Sequence, residues 1–286
     1  MVIVQVIIDG LLMGGIYALM ALSLSMIFGV LRIINFAHGN LVAIGMYTSY
    51  WLFRLLGIDP YLSLLVAAFI SFCIGYFIQW LVLNPIVNAP EEMTVLVTLG
   101  LGLIIQNLLL MAFGPEYYTV NTFYRLKTIM VGTIRFDVAK LLAFITSFII
   151  TTLFFLFMEK TDMGRCIRAA ANNREAAMLV GVNVKRIYCM AFAIGTALVA
   201  AAGSSISTFI PTSQDVGILF TMTSFVIVII GGIGSYIGPL AGGFLVGIVE
   251  EIGGVLLSGS TKQILSLGLL VVILFFRPQG LFGRES

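Results

Sequence analysis

Charge is scarce in this chain: only 10% of its residues are Asp, Glu, Lys or Arg, against 60% that are hydrophobic. A water-soluble fold needs enough polar surface to cover its core, so this balance excludes an ordinary soluble domain. The single histidine and the three cysteines, Cys73, Cys166 and Cys189, have no CxxC spacing and no companion ligands. A zinc site and a disulfide framework are therefore not indicated, and the cysteines read as packing residues. The pattern G-x-x-x-x-G-K-[ST] occurs nowhere, so the chain has no phosphate loop in which to cradle ATP. A net charge of +2, from 15 basic and 13 acidic residues, gives no footing for nucleic acid. No Lys or Arg precedes Arg32, so the N-terminal apolar run lacks the basic start of a signal peptide and reads as a retained membrane helix.

What the chain has in abundance is long apolar runs, and its mean hydropathy is +1.12. Lipid needs no polar cover, so the reading is an all-α, polytopic integral membrane bundle forming a single transmembrane domain, 1–286. Nine candidate runs appear, at about 4–29, 40–57, 60–83, 94–114, 141–158, 187–209, 218–233, 239–257 and 263–276. The runs 218–233 and 263–276 fall short of the roughly 20 residues that a full crossing takes. That predicts eight to ten spans, some broken or re-entrant.

The few charges are unevenly placed. Six of the 15 Lys and Arg residues lie between Glu159 and Arg186. The positive-inside rule makes this connection, 159–186, cytoplasmic, and the even number of runs after it returns the tail to the same side. Loop 115–140 then faces outward; it alternates polar with β-branched and aromatic residues, which suits a short hairpin or a surface loop lying on the membrane, either merely solvated or a docking surface for an external partner. Counting backwards puts the N-terminus outside, or inside if 40–57 is re-entrant.

Three polar constellations interrupt the apolar background. In the basic connection, Ala169, Ala170, Asn173, Ala176, Ala177 and Val180 share one face at helical period, with Arg168, Asn172 and Glu175 on another, and Gly181 is a natural stop. This predicts a short helix with a small-residue face that another protein approaches closely, with arginines to pair with its acids. Next, Asn35, His38, Gly39 and Asn40 together weaken a helix and bring polar groups that a membrane tolerates only inside protein or beside a water-filled path, the position of a pathway or gate. Third, Thr94, Thr98, Gln106 and Asn107 lie within the fourth run and Glu250 and Glu251 within the eighth. The former serve as interhelical hydrogen bonds or pathway lining, and the two carboxylates are expected near an interface. Gly234, Gly238 and Gly242, then Gly243 and Gly247, recur every four residues as a ridge for close helix packing.

The run TDMGRCIRAAANNREAAMLVGVNVKR resembles the cytoplasmic coupling segment of ABC-transporter permeases, in which Glu-Ala-Ala is followed a few residues later by Gly. Glu175, Ala176, Ala177 and Gly181 stand at the matching positions, alongside Gly164, Arg165, Arg168 and Arg174. GVLRIINFAHGNLVAIGMY, VTLGLGLIIQN, GGIGSYIGPLAGGFLVGIVE and FRPQGLFG resemble, in order and over nearly the whole chain, the branched-chain amino acid permease family of LivH type. Cys166 departs from the apolar residue of many relatives.

The resemblance implies the permease subunit of an importer for Leu, Ile, Val or related hydrophobic amino acids, multi-pass in a bacterial inner membrane. Its implied partners are a sister permease, two cytoplasmic ABC ATPases that bind ATP and Mg, an external substrate-binding protein and membrane lipid. No cofactor or metal is expected on this chain, which is read as a transport subunit and not an enzyme. Two alternatives stand beside it: a permease for urea or short amides, since such proteins look similar over the same motifs, and an ion-coupled secondary carrier, which a buried, proton-coupled Glu250–Glu251 pair would favour.

Overall fold

The computed structural model describes residues 2–132, 134–256 and 262–283, and these are predominantly helical. The order is α1 (Val2–Leu31), α2 (His38–Leu56), α3 (Pro60–Ile78), a π turn (Gln79–Leu83) running straight into the short α4 (Asn84–Ile86), and α5 (Glu91–Phe113). Two antiparallel strands, β1 (Thr128–Val131) and β2 (Ile134–Asp137), form the hairpin expected in loop 115–140. Then come α6 (Val138–Lys160), α7 (Asp162–Asn172), α8 (Arg174–Leu179), α9 (Val184–Ile206), α10 (Val216–Gly231), α11 (Gly238–Leu256) and α12 (Lys262–Phe276).

Among the described residues, six stretches are long and apolar enough to cross a membrane: Ile3–Leu31, Pro60–Ile86, Glu91–Phe113, Val138–Lys160, Val184–Ile206 and Gly238–Leu256. With α2, α10 and α12 they account for all nine apolar runs. These runs shuttle between two ends of the bundle. The hairpin end holds the start of α1, where Gln5 Nε2 donates to the carbonyl of Arg135 at 2.7 Å, and the turn at Asp59, which accepts from the Tyr124 hydroxyl at 3.0 Å. The basic end holds Arg32, α4, α7 and α8, tied by Arg174 donating to Asn88 at 2.6 Å. The first run therefore begins at the end opposite the basic segment.

Helices at the ends are capped locally, as their sequences require. Asp59, Asp137, Thr161, Asn173 and Asn183 each accept a backbone N–H from the first turn of the helix that follows, a contact worth about 1 kcal/mol. The helices α2 and α10 have no side-chain cap of their own. They begin inside the bundle.

Burial divides the helices. In α1, 89% of the apolar window is buried, and in α9, 78%, against 22% in α5. α1 and α9 therefore form the axis, and the Gly, Ala and Ser residues along α9 let its neighbours close on it, while the large apolar side chains of α5 face outward at the edge, where lipid receives them. α1 lies antiparallel along α11, α9 antiparallel along α3, and α2 meets α10. The two triplets α1–α2–α3 and α9–α10–α11 thus run in opposite senses, the arrangement of an inverted repeat.

Small residues set the closeness of the α1–α11 contact. A Cβ on Gly247 would sit 2.4 Å from the Gly10 carbonyl oxygen, so the two backbones touch. Gly243 likewise faces Ala18 of α1, while Gly238 and Gly242 face α10 at Gly231 and Ile227. Gly234 departs from the expected ridge: it lies before α11, in a turn at φ +79°, and supplies backbone freedom there.

Candidate functional site

The first candidate region is the place where α2 and α10 begin. α1 ends at Leu31, and Arg32 takes a left-handed conformation, φ +55°, the terminating position usually given to glycine. The chain then folds back, extended, into the bundle. His38, the first residue of α2, places Nε2 3.1 Å from the carbonyl oxygen of Met20, about 16 Å up α1 from its end. α10 starts at the same depth: a Cβ on Gly217 would come within 2.9 Å of the Asn40 backbone nitrogen. Gly39 N donates to Thr221 Oγ1 at 2.9 Å, so α10 supplies from across the contact the cap that α2 lacks.

Asn35, His38, Gly39 and Asn40 are therefore brought together, and all four are buried. Thr98 and Asn40 tie this joint to α5: Thr98 Oγ1 donates to Ile34 O at 2.8 Å, and Asn40 Nδ2 donates to Gly102 O at 3.1 Å. Thr94, one turn earlier on α5, is buried and bonds the carbonyl of Glu91. Gln106 lies farther along, donating to Asp215 beside the start of α10 at 2.9 Å, and Asn107 is exposed and bonds only its own helix, at Leu103 O. Asn35 Nδ2, Asn40 Oδ1 and Gln214 Oε1 are buried without partners among the described residues, an unusual concentration of unpaired polar atoms at mid-depth.

Glu250 and Glu251 part company. Glu250 is buried and accepts from the Tyr17 hydroxyl at 2.8 Å, with Ser266 at 3.3 Å and Lys262 Nζ at 3.9 Å. Glu251 faces Lys140 of α6 at 3.7 Å. Among the described residues no three His, Cys, Asp or Glu side chains cluster as metal ligands.

The second region is the basic segment, and here the continuous helix expected from Arg168 to Val180 is corrected. Asn173, at φ −151° and ψ 107°, breaks it: the same residue ends α7 and caps α8, its Oδ1 accepting from Ala176 N at 3.0 Å. Asn prefers a cap to a helix interior because its short amide competes for backbone groups. The break separates the anticipated small face. Ala170 and Ala177 are buried in the chain's own core, while Ala169 and Ala176 are exposed. Gly164 is held by close approach, since a Cβ there would lie 2.4 Å from Met158 O. Arg165 pairs with Asp162, Arg168 is half-buried, and Arg174 is anchored by Asn88 and by the Tyr188 ring, 5.8 Å from its guanidinium carbon. Glu175 is exposed, and Gly181, at φ +87°, turns the chain towards α9.

Sequence reasoning missed what α8 offers outward. Leu179 is 89% and Val180 79% exposed, with Met178 half-exposed beside them. The available signal was three consecutive apolar residues in an otherwise polar connection; a single helical period counted through the break placed Val180 on the outward face but left Met178 and Leu179 out of account. Behind α7 and α8 lies a cavity of about 690 Å³, lined by Arg32, Thr94, Arg174 and Glu175, among others. One wall of this cavity is the elbow that leads to the α2 break; the other is the basic segment.

The sequence that builds this joint and basic segment has relatives among known proteins. The permease protein LivH of a high-affinity branched-chain amino acid transport system from Salmonella typhimurium is 28% identical over 97% of this chain and 94% of its own. BraD, the corresponding permease of Pseudomonas aeruginosa, is 28% identical over 99% of this chain and 96% of its own. A probable LivH from Methanocaldococcus jannaschii is 26% identical over 98% and 93%. No solved structure matches the chain. Residues 6–274 match the family described as branched-chain amino acid transport system / permease component, and the chain is a multi-pass membrane protein that belongs to it.

Proposed function

We propose that this chain is the membrane subunit of an ATP-binding cassette importer for branched-chain amino acids, sited in a bacterial inner membrane. Two cytoplasmic ATPases, a sister permease and an external substrate-binding protein complete it, with ATP and Mg held on the ATPases. The observation that carries this reading is the structured basic segment, with exposed Leu179 and Val180 on one side and the cavity to the α2 elbow on the other. A partner docked on α8 pushes a short, capped helix; the push passes from Arg174 to Asn88 and Tyr188, and so through α5 and α9, which pack against α2, to the joint of α2 and α10. Because both helices start at mid-depth, a small shift there changes which side of the bundle the unpaired polar groups of Asn35, Asn40 and Gln214 can reach. In this buried arrangement the joint is closed, and the polar groups become pathway lining when it opens. Gly238, Gly242, Gly243 and Gly247 of α11 hold the bundle around it.

The branched-chain cargo is supported over urea or short amides by the names of the relatives, and the separation of Glu250 from Glu251 removes the paired carboxylates that an ion-coupled carrier would use. Reconstituted in proteoliposomes with its sister permease, the two ATPases and the binding protein, the chain should support ATP-dependent uptake of labelled leucine. Uptake that needs only an ion gradient, or urea as the sole transported solute, would overturn the reading.

The proposed sidedness makes a separate expectation. Asn121, in the 115–140 connection, and Asn172, at the end of α7, are both exposed at opposite ends of the bundle. On a background with the native cysteines replaced, a membrane-impermeant maleimide should label Asn121→Cys in intact cells and reach Asn172→Cys only after permeabilisation. The reverse pattern would invert the topology and remove the docking surface from the ATPase side.

A further inference from the structure

A groove between α2, α3 and α5 is used by none of this machinery. It has a volume of about 810 Å³, and its walls are almost wholly apolar, from Ile44 and Ile105 at the deep end to Trp51, Leu55 and Phe113 at the mouth. The mouth carries an aromatic cluster: Trp51 and Tyr47 pack on Phe113 with ring centres 5.5 and 4.7 Å apart, and Tyr118 stands beside Tyr50 at 4.8 Å. Such clusters sit at the membrane–water interface, so the groove descends from that level into hydrocarbon. From Ile44 to Leu56 it follows α2 for about 18 Å, close to the roughly 15 Å of one leaflet's hydrocarbon. Beside Trp51 of the mouth, the exposed guanidinium of Arg54 lies 5.1 Å from the Trp51 ring and donates to the Tyr50 hydroxyl at 3.2 Å.

We propose that this groove is a binding site for one anionic phospholipid, its acyl chain lying along α2 and α5 and its phosphate paired with Arg54. The depth, the leaflet-long apolar walls and a cation fixed at headgroup level together match that ligand and no part of the amino acid pathway, whose polar joint lies deeper at Asn40. A protein segment in the groove would instead bring an apolar surface up against an exposed guanidinium. Arg54 is held by Tyr50 and Trp51, so it meets the phosphate with little further ordering. The site makes α5, which is the least buried long helix of the bundle, lean on lipid as well as on α2.

The chain's two tryptophans give the test its own control. Trp80 is 58% exposed on the π turn and does not line the groove; it shares a pocket with Lys185 and Arg186 and reports lipid there, independently of Arg54. The full chain, as Trp80→Phe or as Trp51→Phe, is reconstituted in phosphatidylcholine bilayers carrying a small fraction of lipid with brominated acyl chains, which quench tryptophan on contact. Brominated phosphatidylglycerol should quench Trp51 at about one-fifth the mole fraction that brominated phosphatidylcholine needs, the factor given by about 1 kcal/mol of headgroup attraction. Arg54→Gln should erase the preference at Trp51 while leaving the response of Trp80 and the circular dichroism spectrum unchanged. Equal sensitivity of Trp51 to the two brominated lipids, or a preference that survives Arg54→Gln, overturns the proposal. So does loss of Trp51 quenching when the partner permease is reconstituted with the chain, because the groove would then be a joint between subunits.

Discussion

Replacing Leu179 with Asp should lower ATP-dependent uptake at least about thirtyfold while leaving the amount of protein in the membrane unchanged. The side chain is 89% exposed and takes no part in the chain's own core, so folding has nothing to lose. Its position is nevertheless fixed. Asn173 caps the start of α8, Ala177 plugs the inner face at 3% exposure, and Gly181 turns the chain away just beyond. A fixed apolar side chain projecting from a polar segment is the form that interface anchors take, and losing one costs about 2 kcal/mol or more, a factor of roughly 30. A carboxylate adds the cost of burying charge against an apolar partner surface. Leu179→Met keeps shape and polarity and should retain most of the activity. The ATPase should co-purify with Leu179→Met and fail to co-purify with Leu179→Asp. Normal uptake together with normal co-purification in the Asp variant would remove α8 as the coupling contact. Ala177→Trp is the less informative change, because Ala177 faces the chain's own core and a ring there would disturb this subunit whether or not anything docks.

The contrast between Leu179 and Ala177 shows where sequence alone stops. Composition and apolar length were enough for the membrane bundle and for its nine runs, because a lipid environment forces helices and reveals them as uninterrupted hydrophobic stretches. The hairpin near 128–137 was visible for a similar reason, in its alternation. The outward face of a short helix is different. It depends on one residue, Asn173, whose backbone resets the helical phase, and a period counted through that residue assigns Ala169 and Ala177 to the same surface although one is exposed and the other buried. The joint at Gly39 was legible as a break but not as a meeting. Asn35, His38 and Asn40 announce polar groups in an apolar run, yet the residues they meet, Gly217 and Thr221, lie far along the chain in a segment with few polar markers. The opposed triplets α1–α2–α3 and α9–α10–α11 leave little local pattern for the same reason: they are related by packing, through Gly45 against Ala200 and Gly203 against Val42, more than by shared residues.

At that joint the second large effect is expected: Gly39→Ala should cost about 3 kcal/mol of stability and abolish uptake, although it adds a single methyl group. A Cβ there would lie 1.8 Å from the Gly217 carbonyl oxygen and 2.6 Å from the Thr221 backbone nitrogen. Both are backbone atoms of α10 and have no rotamer by which to retreat, so the two helices must separate, which puts the change at the upper end of the cost of overpacking. Separation also breaks the bond from Gly39 N to Thr221 Oγ1, leaving an N–H of the first turn of α2 without a partner where no water replaces it. Gly100→Ala, on α5 with nothing within 4 Å of the added methyl, is the matched control and should be neutral or slightly stabilising. Heating each detergent-solubilised variant and measuring the fraction that stays monodisperse by size exclusion compares them directly. Gly39→Ala should lose its monodisperse peak well below the temperature at which Gly100→Ala does. Equal resistance to heat would mean that α2 and α10 have room to move apart without penalty, and that the closed joint is not the packed element through which a push at α8 is transmitted.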